Sequence, residues 1–266
     1  MAELKDVKMV VFDVETTGLM DGSRIVEIGA TMFSKDEDDD DSFQYLVNPG
    51  MPIPEEVTKI HGVTNEMVES SPDAGKVLAD FFDWLKHHGI ETVIAHNAQY
   101  DTGIISWDAG RFGIEIPELK VICTCKVAKK LNVTKNNKLV TLAEHYRLKA
   151  KGSAHRALTD VDRCLQYYKL MDQATMSWMP LPWDEAGHCY QYTDKFPESL
   201  SDFPGRVENA LPLRFKYADA KGAESERTIV PHGWSERKGK LFINGWCLMR
   251  KATRTFKADS IIEVIN

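Results

Sequence analysis

Asp13 and Glu15 are the residues whose types and spacing first suggest chemistry. They close the apolar run Met9-Val10-Val11-Phe12 and precede the turn-forming Thr16-Thr17-Gly18. In a strand, side chains alternate faces, so the two carboxylates project to one side with Cα atoms roughly 7 Å apart. A run this apolar predicts an interior strand, where an ionised acid is costly unless a cation or hydrogen bonds compensate it. Taken alone, the stretch fits equally well a strand that reaches the surface and carries two solvated acids.

Two further stretches bear on that choice. Thr92-Val93-Ile94-Ala95 reads as a short strand, and His96-Asn97-Ala98-Gln99-Tyr100-Asp101 leads from it into a helix. Asp101 shares a helix face with Ile104, Ile105, Ala109 and Phe112, so a carboxylate stands where a core residue belongs. A helix-N-terminal acid stabilised by the macrodipole is the plainer explanation of that residue alone. Later, Leu158, Val161, Leu165 and Tyr168 form the buried stripe of a helix, with Asp160 at its edge and His155 just before it. By itself, His155 fits a structural or solvated residue.

Together, three elements place carboxylates where burial is expected, and four acids in one dry crevice could not all stay ionised. Two divalent cations would neutralise them. Oxygen-only ligands suit Mg²⁺ or Mn²⁺, and a pair of such ions about 3.5 to 4 Å apart clamps the attacking and leaving oxygens of an in-line phosphoryl displacement. Histidine titrates near neutrality, which suits it to take a proton from an attacking water.

Phe12-Asp13-Val14-Glu15-Thr16-Thr17-Gly18-Leu19, His96-Asn97-Ala98-Gln99-Tyr100-Asp101 and His155-Arg156-Ala157-Leu158-Thr159-Asp160 resemble, in order, the three motifs of the DEDDh (DnaQ-like) 3′-to-5′ exonucleases. Ile25-Val26-Glu27-Ile28-Gly29-Ala30 and Lys59-Ile60-His61-Gly62-Val63-Thr64 add to the likeness, which covers roughly residues 7 to 172. The resemblance implies a ribonuclease H-like α/β fold, with a mixed sheet of about five strands flanked by helices. It also implies that Asp13, Glu15 and Asp160 hold the metal that binds the attacking water. Asp13 and Asp101 would hold the second, and His155 would be the general base. Thr16, Thr17 and Leu19, with His96 and Asn97, would seat the terminal nucleotide. One departure is Cys123-Thr124, where relatives often carry Asp-Thr.

The remaining elements must position these residues. Strands are predicted over 24–33, 42–47 and 119–123, and helices over 55–61, 73–85, 126–131 and 139–146. The acidic run 36–41 reads as a solvated loop. Of 266 residues, 43% are hydrophobic, enough for one large domain or a main domain and a small one. The five cysteines are scattered without a CxxC pair, which argues against both a disulfide framework and a zinc site. With no apolar segment near the roughly 20 residues of a membrane span and no signal-peptide layout in residues 1–6, a cytoplasmic location is expected.

Three parts are expected: an exonuclease domain over 1–172, a proline-interrupted connector over 173–205, and an all-β domain over 206–266. The connector's aromatic residues are expected to pack it onto a domain; residues 173–178 are weakly similar to peptides that tether repair enzymes to sliding clamps. In the last part, Pro231-His232-Gly233-Trp234, Gly245-Trp246-Cys247 and Arg254-Thr255-Phe256 resemble the WYL domain, which implies a small SH3 or Sm-like barrel. Its name-giving triplet would fall at Leu241-Phe242-Ile243, with Ser260 where relatives often have an arginine. From residue 206 onward, 12 Lys and Arg stand against 7 Asp and Glu, while 21 stand against 33 before it. The acidic body therefore carries a basic tail, in which Arg214, Arg227, Arg254 and Lys257 are candidate phosphate contacts. A structural or dimerising appendage is the other reading.

Two functions follow. One is a metal-dependent 3′-to-5′ exonuclease that acts on single-stranded or frayed DNA, or on RNA, in proofreading or repair beside replication proteins. The other is a noncatalytic nucleic-acid-binding regulator that kept the fold and senses a ligand or strand through its tail.

Overall fold

A computed structural model of the chain describes residues 8–19, 22–34, 41–150, 155–171, 180–186 and 192–265. Most of the acidic run, the segment 173–178 and Cys189 lie outside the described residues. The elements run β1 (Met9–Thr16), β2 (Ile25–Phe33), β3 (Ser42–Leu46), α1 (Glu55–His61), α2 (Asn65–Val68), α3 (Ala74–His87), β4 (Thr92–Ala95), α4 (Gln99–Phe112), β5 (Lys120–Cys123), α5 (Thr124–Leu131), α6 (Leu139–Tyr146) and α7 (Ala157–Leu170). They continue through β6 (Leu181–Pro182), α8 (Trp183–Ala186), α9 (Phe203–Glu208), β7 (Leu213–Ala218), β8 (Glu224–Arg237), β9 (Lys240–Cys247), β10 (Ala252–Lys257) and β11 (Ile261–Ile265).

The first sheet has the order β3-β2-β1-β4-β5-β6. Strands β3, β2 and β1 pair antiparallel, β1, β4 and β5 parallel, and β6 antiparallel on the far edge. The sheet is therefore mixed and has six strands rather than about five, because two connector residues extend it. Val10, Val11 and Phe12 are fully buried, as an interior strand requires. Phe12 packs toward α3, with its ring 6.3 Å from that of Phe81. Asp13 and Glu15 alternate to the other face, where α7 lies.

Gly29 fixes how closely α7 approaches. It sits opposite Asp13 in the β1–β2 register, and a Cβ there would lie 2.9 Å from both the carbonyl carbon and the Cβ of Ala157, the first residue of α7. Gly29→Ala is expected to cost about 1–3 kcal/mol through overpacking, and to lower turnover by shifting the helix that carries Asp160. Urea unfolding measures the first effect, and a variant as stable as its parent would contradict this packing.

The C-terminal strands form an antiparallel sheet in the order β10-β9-β8-β7-β11. β11 pairs with β7 at the edge. Among the described residues the sheet stays open, with β10 and β11 at its two ends, so the expected barrel closure is not seen. Its buried face packs Leu213, Phe215, Ile229, Ile243 and Phe256 against Phe203 and Val207 of α9. Trp107 of α4 joins the same cluster. No helix among the described residues is long and apolar enough to cross a membrane.

Candidate active site

Four carboxylates and one histidine converge at the ends of β1, α4 and α7. β4 runs parallel beside β1, so the helix that follows it delivers Asp101 to Asp13. Asp101 is 2% exposed and accepts the Val14 N–H at 3.2 Å, which ties α4 to the central strand. Asp160, 8% exposed, accepts Arg163 Nη1 at 2.7 Å and the His155 N–H at 3.1 Å. The His155 side chain is 51% exposed, with Nδ1 3.9 Å from Asp160 Oδ2. Ligand atoms of Glu15, His155 and Asp160 all lie within 4.8 Å of one another.

An ion pair absent from the sequence reading holds α7 in place. Glu27 faces Glu15 across the β1–β2 register and is fully buried. Its two oxygens accept Arg156 Nε at 2.9 Å and Nη2 at 2.8 Å, and one also accepts the Ala157 N–H at 3.3 Å. Burial acts to raise the Glu27 pKa, but bonds from Arg156 and Gln44 hold it below the ordinary value, so Glu27 stays ionised. Glu27 is thus paired with Arg156, and Asp160 with Arg163; Asp13, Glu15 and Asp101 are the other acids of the cluster.

Those others repel one another. Burial, then Asp101, Glu15 and Asp160, drives the Asp13 pKa well above the ordinary carboxylate value. Burial and the Asp160 charge push Glu15 up to about 8. Asp101 is pushed up to about 7, chiefly by burial, against the lowering effect of the Val14 N–H. A dry cluster of oxygen donors that resists ionisation suits hard divalent cations. The folded cluster holds protons that the unfolded chain releases at lower pH, so without metal its contribution to stability is lost as pH rises through about 7 to 8. Cation binding requires the ionised form, so Mg²⁺ or Mn²⁺ should raise the melting temperature more at about pH 9 than at about pH 6, by a few degrees. Melts with metal and with chelator across that range check this; a shift independent of pH would contradict it.

The carboxylates open into a groove of about 810 Å³, whose near rim is the loop after β1. Leu19 projects there, 82% exposed. Thr16 Oγ1 and Tyr100 Oη lie 2.5 Å apart, and each hydroxyl is within hydrogen-bonding distance of the Gly18 carbonyl. His61 Nδ1 accepts the Val63 N–H at 3.0 Å, so Nε2 carries the proton and donates to the Thr16 carbonyl at 3.2 Å. Thr17 is buried and accepts the Arg24 N–H, which closes the loop.

Of the expected nucleotide-seating residues, Thr16, Thr17, Leu19, His96 and Asn97 all line the groove. His96 has inward partners at both ring nitrogens: Thr124 Oγ1 at 2.9 Å and the Asn137 carbonyl at 3.0 Å. Burial pushes its pKa down to about 4, so the ring is neutral and braces the segment that precedes Lys138. Among the described residues, Lys138 is the one lysine or arginine lining the groove.

The basic residues of the tail do not share one face. Cross-strand register puts Arg227 and Arg254 with Ile229 and Phe256 on one face, and Arg214 and Lys257 on the other. Arg214 pairs with Glu226 and Lys257 with Asp259. His232 and Thr253 from this sheet do reach the groove, and neither was given a site role from the sequence. Tyr100, His61, Glu27, Arg156, Arg163 and Lys138 were likewise given no role; a charged residue inside the strand Ile25–Phe33 was the one signal that pointed to Glu27.

Two family models match the chain: Exonuclease over residues 10–168 and WYL domain over residues 206–265. The chain is 37% identical over 155 residues to the PolC-type DNA polymerase III of Caldanaerobacter subterraneus subsp. tengcongensis, covering 58% of this chain and 11% of that protein. It is 30% identical over 161 residues to DNA polymerase III subunit epsilon of Buchnera aphidicola subsp. Schizaphis graminum, covering 57% of this chain and 66% of that one. It thus spans about a tenth of the polymerase and just under two thirds of the subunit. The nuclease domain of 3′hExo, a DEDDh family member bound to rAMP, superposes with a TM-score of 0.55 at 17% identity, covering 63% of this chain and 92% of that one. E. coli Exonuclease I in complex with a dA16 oligonucleotide gives 0.55 at 12% identity, covering 91% and 55%. At these identities the likeness is one of fold, the mixed α/β ribonuclease H-like exonuclease fold.

Proposed function

Because the chain belongs to the exonuclease family, and so to the nucleases, we propose that it is a metal-dependent 3′-to-5′ exonuclease that releases nucleoside 5′-monophosphates from single-stranded or frayed DNA ends. The observation that carries this reading is the convergence of Asp13, Glu15, Asp101, Asp160 and His155 on one groove. Asp13, Glu15, Asp101 and Asp160 would hold two divalent cations, Mg²⁺ or Mn²⁺, which when bound supply Lewis acidity toward the scissile phosphate and acidify water.

The chain's own residues do the rest. His155 takes the proton of the attacking water, and its exposed ring leaves that proton free to pass to solvent. The water oxygen bonds to phosphorus, and the bond from phosphorus to the 3′ oxygen of the preceding nucleotide breaks. The terminal nucleoside 5′-monophosphate leaves, and a new 3′ hydroxyl remains on the strand. Leu19 packs against the terminal base, Asn97 offers its amide at the rim, and Lys138 meets the phosphate. Residues 1–172 form the catalytic domain, 173–205 the connector and 206–266 the accessory domain.

The test uses DNA and RNA oligonucleotides labelled at either end, with Mg²⁺ or Mn²⁺. Early mononucleotide release from the 3′ label and a descending ladder from the 5′ label are expected. If metal binds but no substrate yields mononucleotide, the reading fails and a noncatalytic nucleic-acid-binding regulator takes its place.

A further inference from the structure

His232 reaches the nuclease groove because of a defect in its strand. β8 and β9 pair Pro231 with Gly245 and Gly233 with Asn244, which leaves His232 as the extra residue of a β-bulge. A bulge breaks the two-residue alternation and re-aims one side chain, and bulges are over-represented beside active sites. The neighbouring strand accommodates it with a glycine: a Cβ at Gly245 would lie 2.3 Å from the Val230 carbonyl oxygen.

The bulge is locked to the catalytic half. Gly22, at φ 77°, and Gly233 approach so closely that a Cβ on either would come 2.6 Å from the other's Cα. The Trp107 indole N–H donates to the Trp234 carbonyl at 2.9 Å, and the Trp234 indole N–H donates to the Thr193 carbonyl at 2.8 Å. Gly22 belongs to the loop that follows Leu19, and Trp107 sits on the helix that carries Asp101. The placement of His232 relative to the carboxylates is therefore built in.

Burial lowers the His232 pKa against the opposing charge of Glu56, so the ring is neutral near pH 7. A neutral imidazole and the Thr253 hydroxyl each donate and accept, which suits base edges and sugars better than phosphates. Thr253 pairs across the strands with Trp246, whose indole is 38% exposed on the same face. An exposed indole beside a strand-end groove is a platform on which any base can stack.

We propose that His232 and Thr253, with Trp246 beyond them, form a subsite for the nucleotides on the 5′ side of the scissile bond in a single-stranded substrate, so that the C-terminal domain sets the strand-length preference. The proposal rests on the nuclease reading of the carboxylates. The test compares full-length wild type, His232→Ala and Trp246→Ala on a single-stranded oligonucleotide and on the p-nitrophenyl ester of thymidine 5′-monophosphate, which presents a terminal nucleotide alone. Each variant should raise KM for the oligonucleotide about tenfold, with kcat within about twofold, so the oligonucleotide-to-ester ratio of kcat/KM falls about tenfold. His232→Gln, which keeps a donor and an acceptor, should recover most of the loss. Equal losses on both substrates, or an unchanged ratio, would overturn the subsite. Should wild type hydrolyse neither substrate, the nuclease reading is what fails. Fluorescence anisotropy of a labelled strand in Ca²⁺ then decides the subsite: about tenfold weaker binding by both variants supports it, and equal binding overturns it.

Discussion

Replacing Asp13 with alanine is expected to lower turnover by about four orders of magnitude and to weaken divalent-cation binding in the same variant. Asp13 lies on the central strand of the sheet, and Asp101, Glu15 and Asp160 all act on its charge. On the proposed reading it would be a ligand common to both cations, so its loss would remove a shared ligand and not a peripheral one. Removing the cation's hold on the phosphate forfeits several kcal/mol of transition-state stabilisation, which is the source of that magnitude. The same substitution relieves repulsion, so without metal the variant should melt no lower than its parent. Single-turnover assays and calorimetric titration with Mn²⁺ read the two effects together. Lost turnover with undiminished cation affinity would show that Asp13 does not hold metal.

His155→Asn is expected to lower kcat by about 10² to 10⁴ while leaving cation affinity near that of the parent. Asparagine is the informative replacement because His155 has φ 60°, a left-handed conformation that asparagine adopts more readily than alanine. The backbone N–H that donates to Asp160 survives the change, so Asp160 keeps its orientation. What would be lost is the ring that, on the proposed reading, accepts the water's proton. Equal losses of cation affinity in the Asp13 and His155 variants would contradict the division of labour between ligand and base.

The carboxylates were legible because each one breaks a pattern. Asp13 and Glu15 interrupt an apolar strand, Asp101 occupies a helix face otherwise given to Ile104 and Ile105, and Asp160 sits at the edge of a buried stripe. The residues that brace them were not legible, because their partners are remote. Glu27 meets Arg156 across 129 positions of chain, and His61 reaches Thr16 across 45. The place of His232 in the groove was hidden for another reason: a bulge shifts the phase of alternation, so a period-two reading assigns such a residue to the wrong side. The four arginines and lysines of the tail looked like one patch because composition counts charges without assigning faces; pairing registers divide them two and two.

Trp107 has a thermodynamic consequence. Its ring belongs to the aromatic cluster of the C-terminal sheet, 5.5 Å from Trp234 and 5.7 Å from Tyr192, while its helix belongs to the nuclease sheet. The chain's two sheets thus share one piece of interior and cannot be denatured independently. Heating should produce a single calorimetric transition in which the van't Hoff and measured enthalpies agree, even though two family models divide the sequence. A nuclease half cut free of its neighbour would present an uncovered indole to water and, with it, a tendency to aggregate.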